Sequence, residues 1–161
     1  NHFTIAHEKI AEAEIRIVDR VIELVKQKGK PLPGVSHIFN FFTEKKFNIG
    51  LASSSSPDLI NVVTDILGIG RYLQAISSAD DLAYGKPHPE VFLNCAQKLS
   101  VSPEQCVCFE DSYNGMIAAK AARMKCVIVP ASREPNKPEW EAADLKISSL
   151  QNFNDLLLLS L

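Results

Sequence analysis

Between Ile5 and Val25 apolar residues return at helical intervals (Ile10, Ala13, Ile17, Val21, Leu24), with Glu, Arg and Lys between them. That period predicts one long amphipathic helix, broken at most once. Lys28 and Gly29 suit its end, and Pro31-Leu-Pro-Gly34 forms a rigid turn before a second helix over Val35–Lys45. A domain junction is expected at this turn, dividing residues 1–30 from residues 31–161.

After the second helix the pattern changes to short apolar runs alternating with helical stretches. Strands are predicted at Phe47–Ser53, Gln74–Ser78, Cys106–Phe109, Lys125–Val129 and Leu145–Ile147. Helices are predicted over Pro57–Leu67, Glu90–Leu99, Ser112–Met124 and Leu150–Ser160, with a short one over Glu139–Ala143. The polar, proline-bearing segment Ala131–Pro138 reads as a loop. Strands and helices alternating at these lengths imply an α/β fold, a mostly parallel Rossmann-like sheet flanked by helices on both faces.

Composition narrows the classes without naming one. The 161 residues are 46% hydrophobic, enough for one ordinary core, and the formal net charge of -2 gives no broad basic surface for nucleic acid. Four cysteines, at positions 95, 106, 108 and 126, lack zinc-site spacing and read as buried thiols of a reducing compartment. Cys106 and Cys108 point the same way on a strand, where core packing outweighs a metal clip. No run is long enough to cross a bilayer and no secretory signal stands at the N-terminus, so neither a membrane nor export is expected and the location by default is cytoplasmic. The pattern leaves the oligomeric state open. His2, His7, His37 and His88 share no ligand spacing, His88 reads as a residue that shapes its loop, and Trp140 and Arg133 receive no role. The Gly68-Ile-Gly70 stretch follows a helix and reads as a helix stop, not a dinucleotide fingerprint.

Three strand ends carry the candidate chemistry. The strand ending at Ser53 runs into the serine cluster Ser53–Ser56, and Pro57 and Asp58 open the next helix, so hydroxyls and backbone N–H groups face outward as an anion prefers. Lys86 sits in the frame Gly85-Lys-Pro-His-Pro89, whose prolines fix the backbone around it. The run Cys106-Val-Cys-Phe-Glu-Asp-Ser-Tyr-Asn114 delivers the adjacent carboxylates Glu110 and Asp111 to a strand-to-helix turn. In parallel sheets ligands bind at that edge. Each feature alone suits a solvated cation, a loop or a helix cap; together they supply donors, a cation and metal-binding carboxylates, as phosphoryl chemistry requires.

Leu51-Ala-Ser-Ser-Ser55, Gly85-Lys-Pro-His-Pro-Glu90 and Phe109-Glu-Asp-Ser-Tyr-Asn-Gly-Met116 resemble the second, third and fourth motifs of the haloacid dehalogenase superfamily. They are most similar to the sugar-phosphate branch that contains β-phosphoglucomutase and 2-deoxyglucose-6-phosphate phosphatase. The resemblance covers roughly Pro31 to the C-terminus. It implies that the Ser53 hydroxyl and the Ser54 backbone N–H hold the transferring phosphoryl group and that Lys86 neutralises it. It further implies that Asp111 binds Mg²⁺, with Glu110 as a direct or water-mediated ligand and Asn114 supporting the loop. The first motif, an Asp-x-Asp after an apolar strand, is not found before Pro31, where Asp19 is the sole aspartate and lies in a helical pattern. The nucleophile is therefore expected in a longer parent protein, and the helix over Ile5–Val25 resembles the last part of the helical cap. In this family the strand of the first motif lies between those at Phe47–Ser53 and Cys106–Phe109, so without it two interior sheet edges should be unpaired.

The resemblance implies a Mg²⁺-dependent phosphatase of small sugar or sugar-alcohol phosphates acting through a phosphoaspartate, with a small phosphorylated molecule as its partner. The alternatives are a phosphosugar mutase of the β-phosphoglucomutase type and a catalytically incomplete phosphate- or metal-binding fragment.

Overall fold

The computed structural model describes residues 7–80, 82–130 and 137–161. Ile5, His2, Asp81 and the loop segment 131–136 with Arg133 lie outside the described residues.

Helix α1 (His7–Lys28) is unbroken, and Gly29 N–H donates to Val25 O (2.8 Å) as the chain leaves it. It lies against α3 (Pro57–Leu67). Of the apolar stripe read from the sequence only Leu24 is half-buried: Ile10, Ala13, Ile17 and Val21 are exposed, and the other half-buried positions are Val18, Ile22 and Val25.

Helix α2 (Val35–Glu44) begins at Gly34, whose φ of +90° suits glycine. A Cβ there would also run into the Leu150–Gln151 backbone, so the turn depends on glycine for both conformation and space. Strand β1 (Gly50–Ser53) is shorter than the predicted Phe47–Ser53. Phe47 N–H still bonds back to Phe42 O (3.0 Å), and Ile49 N–H donates to the Gln74 side chain (2.6 Å) instead of entering a ladder. Gly68 stops α3 at φ +62°, in agreement with the helix-stop reading.

β1 pairs in parallel with β2 (Ala75–Ser78). Helix α4 (Glu90–Lys98) packs on both. Strand β3 (Val107–Glu110) leads into helix α5 (Tyr113–Ala121), and β3, β4 (Lys125–Ile128) and β5 (Leu145–Lys146) form a second parallel sheet in that order. The parallel α/β arrangement expected from the sequence is present, but as two sheets. No ladder joins β1 to β3 among the described residues, so each has an unpaired edge, as the resemblance led us to expect.

Alternation along β3 sends Val107 and Phe109 to one face and Cys108 to the other. The first face packs on α2 and Phe153, which is fully buried in edge-to-face contact with Phe41 (5.4 Å) and Phe109 (5.0 Å). The second joins Phe92, Met116 and the small residues Ala118, Ala119 and Ala122 of the α5 segment. The alanines let that helix approach the sheet closely.

Other boundaries differ from the sequence reading for local reasons. The predicted helix Leu150–Ser160 is a 3₁₀ turn (Leu150–Asn152) followed by α6 (Asp155–Leu159), because Phe153 is extended to reach the core and Asn154 caps the new start by accepting from Leu157 N–H (3.1 Å). The predicted helix Ser112–Met124 ends at Ala121, with Arg123 at φ +66°. Glu139–Ala143 is realised as a 3₁₀ turn, Pro138–Ala142. Among the described residues no helix is long and apolar enough to cross a membrane.

Candidate active site

The C-terminal ends of β1 and β3 are brought together by one side chain. Lys86 Nζ donates to the Ala52 carbonyl of β1 (3.2 Å) and to Glu110 Oε1 at the end of β3, and lies 4.6 Å from the centre of the Phe92 ring. An ammonium has three N–H donors, so after these two bonds one is left for a ligand. Lys86 is 13% exposed and Glu110 8%, so this is a largely buried ion pair with little solvent screening. The Lys86–Pro87 peptide is cis, and His88 N–H closes the turn onto Gly85 O (3.0 Å).

Glu110 faces inward because strand parity places it on the side of Cys108, toward α4 and α5. Its Oε2 accepts from the Ser112 hydroxyl (3.1 Å), and Ser112 Oγ in turn accepts from Gly115 N–H (3.1 Å) as the N-cap of α5. Cys108, one turn of the pleat below, has its thiol pKa raised well above the ordinary value by a hydrogen bond with Cys126, by burial and by the Glu110 carboxylate. It stays a neutral packing residue. Cys95 and Cys126 are likewise buried, while Cys106 is half-buried and donates to Ser102 O (3.4 Å).

The serine turn is locked from inside. Ser53 Oγ accepts from Ser55 N–H (3.0 Å), which leaves its own proton free to donate outward. Ser78 Oγ donates to Ser55 O (2.7 Å), tying the turn to β2. Ser54 is exposed at the mouth of the turn, and Asp111 and Asn114 are exposed where β3 gives way to α5.

The structure thus brings Ser53 and Lys86 to one edge through the Ala52 carbonyl, and Lys86 and Glu110 into direct contact. Two adjacent carboxylates suit a hydrated Mg²⁺, which takes one or two carboxylates and completes its shell with water and phosphate oxygens. Among the described residues no group of three or more acidic, His or Cys side chains is placed to hold a metal ion. Asp111 is the exposed carboxylate of the pair, while both oxygens of Glu110 are taken by Lys86 and Ser112. Sequence reasoning missed Phe92, the Ser112 bridge and the buried Gly115. The Ser-x-x-Gly spacing of a helix cap could have signalled the bridge, but nothing local marks Phe92.

A sequence model described as haloacid dehalogenase-like hydrolase matches residues 3–123. Hexitol phosphatase B of Escherichia coli strain K12 is 44% identical over 144 residues, covering 88% of this chain and 65% of the relative. The fructose-1-phosphate phosphatase YqaB of the same strain is 34% identical over 125 residues, 78% of this chain and 61% of the relative. The chain thus spans slightly less than two thirds of either relative's length. β-Phosphoglucomutase from Clostridium difficile superposes with a TM-score of 0.84 at 26% identity, over 98% of this chain and 68% of the other. CbbY from Rhodobacter sphaeroides shares the fold, with a TM-score of 0.86 at 23% identity, over 100% of this chain and 73% of the other.

Proposed function

The chain belongs to the haloacid dehalogenase-like hydrolases, and from that premise we propose that the protein is a Mg²⁺-dependent phosphatase of small sugar or sugar-alcohol phosphates. One observation carries this reading: Lys86 spans from the Ala52 carbonyl beside Ser53 to the Glu110 carboxylate beside Asp111. A phosphate at this edge would meet the Ser53 hydroxyl, the Ser54 N–H and the remaining Lys86 donor, groups fixed before it arrives. Asp111 is the exposed carboxylate that would hold Mg²⁺, and Glu110, anchored by Lys86 and Ser112, its buried companion; Asn114 would support the loop. Mg²⁺, when bound, supplies neutralisation of the phosphoryl oxygens. The reaction class is phosphomonoester hydrolysis through a phosphoaspartate, with the attacking carboxylate left unassigned among the described residues. We read residues 1–30 as the C-terminal part of a helical cap and residues 31–161 as the α/β core without its first strand.

The names of the relatives favour a sugar-alcohol or sugar phosphate as substrate. The relatives named as phosphatases are 44% and 34% identical, whereas the mutase in the structural comparison is 26% identical. The decisive test is Asp111→Asn in the full-length protein, assayed on a hexitol phosphate and on p-nitrophenyl phosphate across a Mg²⁺ titration. Loss of one charged stabiliser of a transferring group lowers kcat by roughly 10²–10³-fold. Unchanged turnover and unchanged Mg²⁺ dependence would refute the assignment.

A further inference from the structure

Gly115 is buried in the first turn of α5, a position where most residues would serve the helix better. Its backbone is not the reason, since the glycines with positive φ among the described residues are Gly34 and Gly68. Its missing side chain is. A Cβ built on Gly115 would lie 2.5 Å from Glu110 Oε1, and closer still to Cδ and Oε2. No carboxylate can occupy that place beside an alanine. The same carboxylate is held at one end by Lys86 Nζ and at the other by the Ser112 hydroxyl, which also caps the N–H of Gly115.

We propose that Gly115 is a positioning residue of the phosphatase site: the space left by its absent side chain is the seat of the Glu110 carboxylate, and sets that carboxylate between Lys86 and Ser112. This rests on reading Lys86, Glu110 and Asp111 as the phosphate and metal site. The three atoms nearest to such a Cβ all belong to the end of the Glu110 side chain. An alanine can be admitted by swinging the carboxylate away from Lys86 and Ser112, which leaves the Lys86 charge without its buried partner. Gly115→Ala should therefore fold with a lowered thermal midpoint and lose the contact that fixes Lys86. A glycine kept only for close helix packing would also lose stability, but shortening the side chain at position 110 would restore nothing.

The test uses the full-length protein. Gly115→Ala, Glu110→Asp and the double variant are compared for thermal midpoint, for p-nitrophenyl phosphate turnover in Mg²⁺, and for Mg²⁺ affinity by calorimetry. We expect Gly115→Ala to lower the midpoint while staying folded at the assay temperature, to lose roughly 10–100-fold in kcat as supporting groups of metal sites do, and to bind Mg²⁺ about tenfold more weakly. Aspartate is shorter by one carbon–carbon bond, about 1.5 Å, so the double variant should regain at least about tenfold over Gly115→Ala alone. A Gly115→Ala protein with native turnover and Mg²⁺ affinity would overturn the inference, and so would one that loses activity only as it loses folded protein, without rescue. If the native protein shows no Mg²⁺-dependent turnover, the functional reading fails. A crystal structure of Gly115→Ala then still decides the inference: a carboxylate displaced from Lys86 supports it, and one left in place overturns it.

Discussion

Replacing Lys86 by methionine tests the site through the fold itself. Lys86 and Glu110 are 13% and 8% exposed, so solvent screens their attraction weakly. At an effective dielectric of about 20, two unit charges in contact attract by about 4 kcal/mol, and removing one partner of a buried pair costs about 3–5 kcal/mol because the other is left desolvated. Glu110 would keep only its Ser112 bond, and the Ala52 carbonyl would lose its side-chain donor. We therefore expect Lys86→Met to lower the stability of the folded protein by about 3 kcal/mol. With a urea m-value of about 2 kcal/mol/M, the midpoint falls by about 1.5 M. Lys86→Met combined with Glu110→Gln removes both charges at nearly constant volume and should recover most of that loss, since neutral replacements of buried pairs are often close to neutral. The assay is a double-mutant cycle by urea unfolding followed by circular dichroism, and the expected coupling is about 2–4 kcal/mol. A coupling below about 1 kcal/mol, the range of exposed ion pairs, would refute the claim that the two strand ends are joined by a buried contact.

Three further predictions concern the frame around the site. Burial raises the pKa of Asp144, but hydrogen bonds from Lys120 and the Cys126 N–H, with Lys125 nearby, outweigh burial and leave it below its ordinary value of 3.8. A depressed carboxyl stabilises the fold fully above its unfolded pKa and progressively less as pH falls toward the folded one. The stability difference between the native protein and Asp144→Asn should therefore be complete at pH 7 and shrink below about pH 3.8, as measured by thermal unfolding across pH; a difference that grows in acid would contradict this. Asp144→Ala, which also leaves the buried Cys126 N–H (2.8 Å from Asp144 Oδ2) without its acceptor, should cost about 1–3 kcal/mol by urea unfolding. Phe153→Ala removes the fully buried ring that touches Phe41 and Phe109, and a loss of about 3–5 kcal/mol is expected from the urea midpoint.

Much of the site was legible in the sequence because its signals are local. A strand must end before a helix can begin, and the residues at that junction are neighbours in the chain, so Ser53, Lys86, Glu110 and Asp111 could be placed at one sheet edge from strand and helix patterns alone. The parallel α/β fold followed from the same alternation, and the resemblance to known motifs supplied the chemistry. Where the reading erred, a distant contact had overridden a local preference. Phe153 breaks the predicted C-terminal helix because the aromatic cluster of α2 and β3 takes its ring, and Phe47–Ile49 leave the predicted strand because Phe42 and Gln74 take their backbone groups.

The sequence by itself determined which residues stand at the edge and what chemistry they are suited to. The tertiary structure alone decided how they are held. Glu110 and Asp111 are adjacent in the chain, yet strand parity buries one against Lys86 and leaves the other open, and only the packing of α5 shows that Gly115 makes the room. The unpaired edges of β1 and β3 likewise depend on the strand order of the folded sheet. The physical reason is the same in each case: a desolvated charge or an orphaned hydrogen-bonding edge is set by what lies beside it in space, and that neighbour is many residues away in the chain.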